Sequence, residues 1–319
     1  MERREFLKIT AAAVPLCSCF PASLKALDQE KTANQIEKRG LGRTGENLSI
    51  IGFGGVVVMN ATPEQASQRV AKAIDYGVNY FDVAPSYGDA EIKLGPALEP
   101  YRPKVFLACK TTERKKDGAL KELEQSLQRL RTDHFDLYQL HAVTTLEEVE
   151  TIFAPGGAME AYLQARKDGK IRFIGFSAHS VEAAMALMDR FDFDTLLFPI
   201  NFATWYAGNF GPQVLAKAQE KKMGILAIKA MARRPWPEDV KDKMPKCWYE
   251  PLTDPKEAMM GLRFTLSHPV TAAIPPGNEN LFEMALEMAT RFEPLNPEEV
   301  ISMKQKGLAE KPIFKYPQS

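Results

Sequence analysis

Four side chains with complementary proton chemistry stand at or just beyond the ends of short apolar runs. Asp82 lies in Tyr80-Phe81-Asp82-Val83, Tyr87 follows in the loop Ala84-Pro85-Ser86-Tyr87-Gly88, Lys110 follows Val105 to Cys109, and His141 follows Phe135 to Leu140. A buried run that stops at Pro85-Ser86 delivers a carboxylate at its end and a phenol in the loop that leaves it, so both can face one pocket. Taken singly, the four read as a loop cap, a loop aromatic, a snorkelling surface lysine and a hydrogen-bonded histidine. Four titratable groups at one level on consecutive runs form instead a constellation for moving protons.

Such a level exists only if the runs are neighbouring parallel strands. Eight near-continuous apolar runs follow one another at 49–53, 80–83, 105–109, 135–140, 171–176, 195–200, 224–228 and 271–274. They fit strands buried on both faces, and the stretches between them have helical spacing, as in Leu120, Leu123, Leu127 and Leu130. Thr62-Pro63-Glu64 opens one such helix, and Gly77 ends it. Eight strand–helix units without a linker predict a single-domain α/β fold, the (β/α)8 TIM barrel, with functional residues at the C-terminal ends of its strands. The competing fold, an open doubly wound sheet, calls for a glycine-rich phosphate loop. Gly52-Phe53-Gly54-Gly55 lacks the third glycine that would open a helix. Ahead of the first strand, Lys38 to Gly45 reads as a β-hairpin at the barrel bottom.

The chain has 319 residues, with 41 basic and 41 acidic side chains, which leaves no electrostatic footprint for nucleic acid or an acidic membrane surface. Of its 4 cysteines, Cys17 and Cys19 fall near the N-terminus. Cys109 and Cys247 are then too few for a disulfide scaffold or a cysteine-rich metal centre. Residues 1–35 stand apart from the barrel, which occupies 36–319 with a C-terminal tail. Arg3-Arg4-Glu5-Phe6-Leu7-Lys8 precedes a weakly apolar run, Ile9 to Phe20, and then a polar stretch, 27–35. The run is too short to span a bilayer, and the pattern resembles a twin-arginine export signal with a disordered lead. The expectation is recognition by the export machinery and a periplasmic protein with no integral membrane domain. A basic, alanine-rich lead on a cytoplasmic protein is the alternative.

Leu41-Gly42-Arg43-Thr44-Gly45, Gly52-Phe53-Gly54-Gly55, Phe81 to Gly88, Asp136-Leu137-Tyr138-Gln139-Leu140-His141 and Gly169 to Ser177 resemble the signature segments of the aldo-keto reductase superfamily, in order, at the ends of the corresponding strands. The resemblance runs from about Gly40 to about Thr290. It implies reduction of a small-molecule aldehyde or ketone by NADP or NAD in reduced form, with Tyr87 as general acid, Lys110 and Asp82 tuning it, and His141 orienting the carbonyl oxygen. Electrostatics agrees with each role. A phenol with a pKa near 10 is a poor acid at neutral pH without a nearby cation, and a buried lysine keeps its proton when a carboxylate pairs with it.

The same resemblance implies a set of cofactor contacts, with departures from the family pattern. Ser177 stands where the family uses a Ser-Asn pair for the nicotinamide amide, and His179 or Ala178 replaces the Asn. Asn201 takes the place of a frequent Gln, and Asn278 lies toward the adenosine end. Lys229 falls where many relatives carry a ring-stacking tyrosine. With Arg233 and Arg234 it reads either as a cluster suited to a pyrophosphate or as a solvated basic loop. Pro275-Pro276-Gly277 lacks the Lys or Arg that many relatives aim at a 2′-phosphate, which leaves NADP and NAD both open. Trp205-Tyr206 with Phe210, and the segment 233–253 with Trp236, Trp248 and Tyr249, read as pocket walls or as rim packing. The competing function is a nucleotide-binding sensor or accessory protein on the same fold. A hydrolase would want paired carboxylates or a metal cluster, and the strand ends offer neither.

Overall fold

Period-two alternation along each strand decides what fills the middle of this molecule. The computed structural model of the protein describes residues 35–317. The segment read as an export signal lies outside the described residues except for Gln35. The strands are β1 (Lys38–Gly40), β2 (Asn47–Ser49), β3 (Phe53–Gly54), β4 (Tyr80–Asp82), β5 (Phe106–Thr111), β6 (Phe135–Val143), β7 (Ile171–Ala178), β8 (Thr195–Pro199), β9 (Gly224–Ile228), β10 (Ala232–Pro235), β11 (Tyr249–Pro251) and β12 (Ala272–Ile274). The helices are α1 (Pro63–Asp75), α2 (Ala90–Leu98), α3 (Lys116–Leu130), α4 (Leu146–Phe153), α5 (Ala158–Lys167), α6 (Val181–Arg190), α7 (Phe202–Tyr206), α8 (Pro212–Glu220), α9 (Pro255–Leu266), α10 (Glu279–Ala289) and α11 (Pro297–Ala309). Strands β3 to β9 and β12 form one eight-stranded parallel sheet with helices alternating between its strands. A parallel bridge between Ile51 and Ala273 brings its two edges together into the expected barrel.

Inside the barrel, Tyr80, Phe106, Ala108, Leu137, Leu197, Leu226 and Ile274 pack into one buried cluster. Leu41 and Leu48, from the antiparallel β1–β2 hairpin, complete that cluster and plug the bottom. The plug needs glycine at position 42. Its φ is +52°, and a Cβ there would stand 2.2 Å from the Gly224 amide nitrogen. The apolar run read as one strand over 49–53 is divided. Ser49 ends the hairpin, its hydroxyl donates to the Ile51 carbonyl at 2.7 Å, and the barrel strand begins only at Phe53.

The helices start where capping chemistry places them. Thr62 and Gln65 form a reciprocal capping box on α1, the side chain of each accepting from the other's backbone amide. The segment after β9, read as one long loop, contains a further antiparallel pair, β10–β11, with Arg234 opposite Glu250. That pairing turns residues 236–248 into a strap. Its Lys246 reaches the Val57 carbonyl at 3.1 Å and Glu279 at 3.4 Å, so the strap is tied to the loop after β3 and the start of α10. Among the described residues no helix is long and apolar enough to cross a membrane, and no cluster of metal-ligating side chains occurs.

Candidate active site

The alternation that points Tyr80, Ala108 and Leu137 into the apolar plug points Asp82, Lys110 and Gln139 into the layer above it. Lys110 is fully buried, and its ammonium forms an ion pair with the buried Asp82 carboxylate. It also donates to the Val83 carbonyl at 3.2 Å and lies 3.4 Å from the Tyr87 hydroxyl and 5.0 Å from the centre of the Tyr87 ring. The second Asp82 oxygen accepts from Tyr80 and from Gln139, each at 3.1 Å. A carboxylate this buried needs such donors. Neither Tyr80 nor Gln139 was singled out in the sequence. The available signals were a tyrosine two residues from Asp82 on the same face and one amide within the apolar run 135–140.

His141 meets the Tyr87 ring edge-on, with centroids 5.7 Å apart. The Ser86 hydroxyl lies 3.3 Å from Nδ1, and Arg114 holds the His141 carbonyl at 2.7 Å. Strand β6 continues to Val143, with Ala142 at a left-handed φ of +52° and its amide donating to Ser177 Oγ at 2.8 Å. Burial, followed by the positive field of Lys110, lowers the His141 pKa to about 2, so the imidazole is neutral at pH 7. Burial also holds the Tyr87 phenol above its ordinary value. Lys110 pulls the other way and Asp82 adds to the rise. Burial likewise works against a charged Lys110, but Asp82 and then Tyr87 outweigh it and hold the ammonium above the usual lysine range. The resting site thus has a protonated phenol and a neutral imidazole beside a charged lysine that is paired with Asp82.

Above this layer opens a cavity of about 490 Å³, lined by Asp82, Tyr87 and Lys229, by the strap residues Lys246 and Trp248 with Tyr249 of β11, and by Pro275 to Gly277. The model of the aldo/keto reductase family matches residues 50–247. The chain belongs to that family. It is 30% identical to the aldo-keto reductase YhdN of Bacillus subtilis over 217 residues, 62% of this chain and 63% of that one. It is 30% identical to the L-galactose dehydrogenase of Arabidopsis thaliana over 173 residues, 49% and 53% of the two chains. The chain therefore spans about half to three-fifths of the length of these curated relatives. A holo-form aldo-keto reductase of Bacillus halodurans shares the fold, with a TM-score of 0.68 at 23% identity over 89% of this chain and 99% of the other. So does an aldo/keto reductase of Klebsiella pneumoniae in complex with NADP and acetate, with a TM-score of 0.66 at 22% identity over 88% and 97%.

In this member of the aldo/keto reductase family the residues expected to contact a cofactor lie in several places. Asn201 is fully buried; its Oδ1 caps α7 by accepting from the Thr204 amide at 2.9 Å, while its Nδ2 has no partner. His179 stacks on Phe314, with centroids 5.0 Å apart, and burial followed by Lys229 lowers its pKa to about 4. Asn278 caps α10 through the Asn280 and Leu281 amides. The basic cluster expected after the seventh barrel strand is split. Lys229 lines the tetrad cavity, whereas Arg233 pairs with Glu257 and Arg234 with Glu250 at 2.8 Å. The two arginines line a different cavity of about 290 Å³, against Met260 and Met303. The β10–β11 register carries them away from the mouth, so they face carboxylates there. Of the aromatic loops, Trp248 and Tyr249 reach the tetrad cavity, while Trp205 packs on Phe264 and His268.

Proposed function

We propose that the protein reduces an aldehyde or ketone with a nicotinamide nucleotide, with Tyr87 donating the proton. The observation that carries this reading is a phenol that lines an open cavity and packs against both a buried ion pair and a neutral imidazole. Tyr87 presents its hydroxyl beside Lys110, which favours the phenolate left after proton transfer. Asp82 keeps Lys110 charged, and Tyr80 and Gln139 keep Asp82 in place. His141, uncharged, holds the carbonyl oxygen near Tyr87 without competing for its proton.

The residues present fit a nicotinamide nucleotide. The unpartnered Asn201 amide and Ser177 suit a carboxamide, and the cavity continues past Gly54 toward Gly277, where backbone can approach a ligand closely. When bound in reduced form, such a nucleotide supplies the hydride for the carbonyl carbon. The neighbour from Klebsiella pneumoniae, described with NADP, supports the choice of cofactor class and leaves NADP and NAD equally open for this chain. The test is Tyr87→Phe, assayed on a carbonyl panel with NADPH and NADH. Reduction should fall by roughly 10²–10⁴-fold with nucleotide affinity retained, and full activity would refute the assignment.

The N-terminal sequence supports a second element of the proposal, export by the twin-arginine route. Its basis is the Arg3-Arg4 pair followed by Phe6-Leu7 and the short apolar run 9–20. Exchanging Arg3 and Arg4 for lysine should retain the protein in the cytoplasm. Unchanged distribution between cell fractions would refute it.

A further inference from the structure

Two lysines line the tetrad cavity, and they differ in one respect. Lys246 is spent on Glu279 and the Val57 carbonyl. Lys229 has no carboxylate or hydrogen-bond acceptor within reach among the described residues; its ammonium stands over the rings of Trp248 and Tyr249, at 5.0 and 5.1 Å from their centres. Aromatic faces steady a cation without neutralising it, so all three N–H donors remain free. The backbone at Lys229 is also unusual, with a left-handed φ of +70° directly after the last residue of β9. A long side chain adopts that conformation reluctantly, and here the result is an ammonium inside the cavity.

We propose that Lys229 anchors the carboxylate of an anionic carbonyl substrate, making this enzyme a reductase of oxo acids and aldehyde acids. The inference rests on the reductase reading above and names its substrate class. With Asp82 paired to Lys110 and Lys246 paired to Glu279, the unpartnered Lys229 ammonium leaves the cavity net positive beside the proton donor. An anionic oxygen group is the complement, and it has two sources, the substrate or the phosphates of the nucleotide. Position favours the substrate. Lys229 immediately follows its barrel strand and lines the same cavity as Asp82 and Tyr87. Nucleotide phosphates lie at least a ribose beyond the ring that must reach the carbonyl carbon. The carboxylate takes no part in the bond changes. The carbonyl becomes a hydroxyl by taking a hydride from the reduced nucleotide and the Tyr87 proton, and the product is a hydroxy acid.

The experiment compares 4-carboxybenzaldehyde with 4-nitrobenzaldehyde, two aldehydes of similar size that differ in charge. In the wild type the carboxylate should have the lower KM. Lys229→Met should raise the KM for 4-carboxybenzaldehyde roughly 10–100-fold, the worth of one charge-assisted hydrogen bond, with little effect on 4-nitrobenzaldehyde or on NADPH affinity. Lys229→Arg should keep most of the preference, and matched thermal melts should show that both variants fold. A parallel increase for both aldehydes, or weaker NADPH binding with an unchanged KM ratio, would overturn the proposal in favour of a nucleotide contact. Calorimetric binding of the product alcohols, 4-(hydroxymethyl)benzoate and 4-nitrobenzyl alcohol, separates this from the reductase reading. Charge preference that is lost in Lys229→Met supports the anchor even if no aldehyde is reduced, and equal binding of the two alcohols by the wild type refutes it.

Discussion

Replacing Lys110 by methionine tests the centre of the site most severely. The change keeps the length of the side chain but removes the ion pair with Asp82, the donor to Val83 and the cation 3.4 Å from the Tyr87 hydroxyl. Asp82, 2% exposed, would retain only Tyr80 and Gln139 as donors. Breaking one side of a buried pair costs about 3–5 kcal/mol, whereas replacing both partners with groups of similar volume is often close to neutral. Urea unfolding at pH 7 should therefore show a loss of about 3–5 kcal/mol for Lys110→Met. A comparable loss is expected for Asp82→Asn. The double variant should lose no more than either single, far from the roughly 6–10 kcal/mol of simple addition. Stability and activity should part company there. Restored neutrality does not restore the cation, so carbonyl reduction should stay at least about 10²-fold down in Lys110→Met and in the double variant. Additive stability losses, or a double variant with wild-type turnover, would refute the pairing and the tuning role together.

Acid should destabilise the fold through His141. Unfolded, it takes a proton near 6.5 and folded only near 2, so between those values the unfolded state binds more protons and stability falls as pH drops. His141→Gln should flatten that decline between pH 7 and 5 in unfolding measurements, with His179 supplying part of the remainder; an unchanged slope would count against a neutral His141. Arg233→Met should lower the melting temperature, since it frees Glu257, yet leave NADPH affinity as it was; weakened nucleotide binding would restore Arg233 to the cofactor site. Gly175→Ala should destabilise by about 1–3 kcal/mol in urea, because overpacking forces shifts and an added Cβ would stand 2.1 Å from Thr195 Oγ1. Wild-type stability there would show that β7 and β8 can move apart freely.

The barrel and its tetrad were legible because both depend on local pattern. Apolar runs such as 105–109 and 135–140 define parallel strands, and alternation along them fixes which side chains point inward at the mouth. The loop beyond β9 was not legible, for two physical reasons. The left-handed backbone at Lys229 is imposed by surroundings, since no residue preference requires it, and Arg233 finds its carboxylate on α9, Glu257, across a hairpin whose pairing leaves little trace in composition. Asn201 and Asn278 show a related ambiguity. An asparagine after a strand is as well suited to cap the next helix as to meet a ligand, and both do cap one.

The bridge between Ile51 and Ala273 gives the barrel a seam. Across it run the amides of Gly52 and Ala273, bonded to the carbonyls of Ala273 and Ile50 at 3.0 and 2.8 Å, whereas β6 and β7 are joined along most of their length. Parting there frees few hydrogen bonds, and the residues beside the seam, Gly54 and Ile274, belong to the cavity wall. Amides near Gly52 should exchange with heavy water sooner than those of β6, as weakly held parts of a fold open before its core strands. The mouth can thus breathe on the side where Lys246 ties down the strap, while the proton-handling floor, seated on β4, β5 and β6, stays shut.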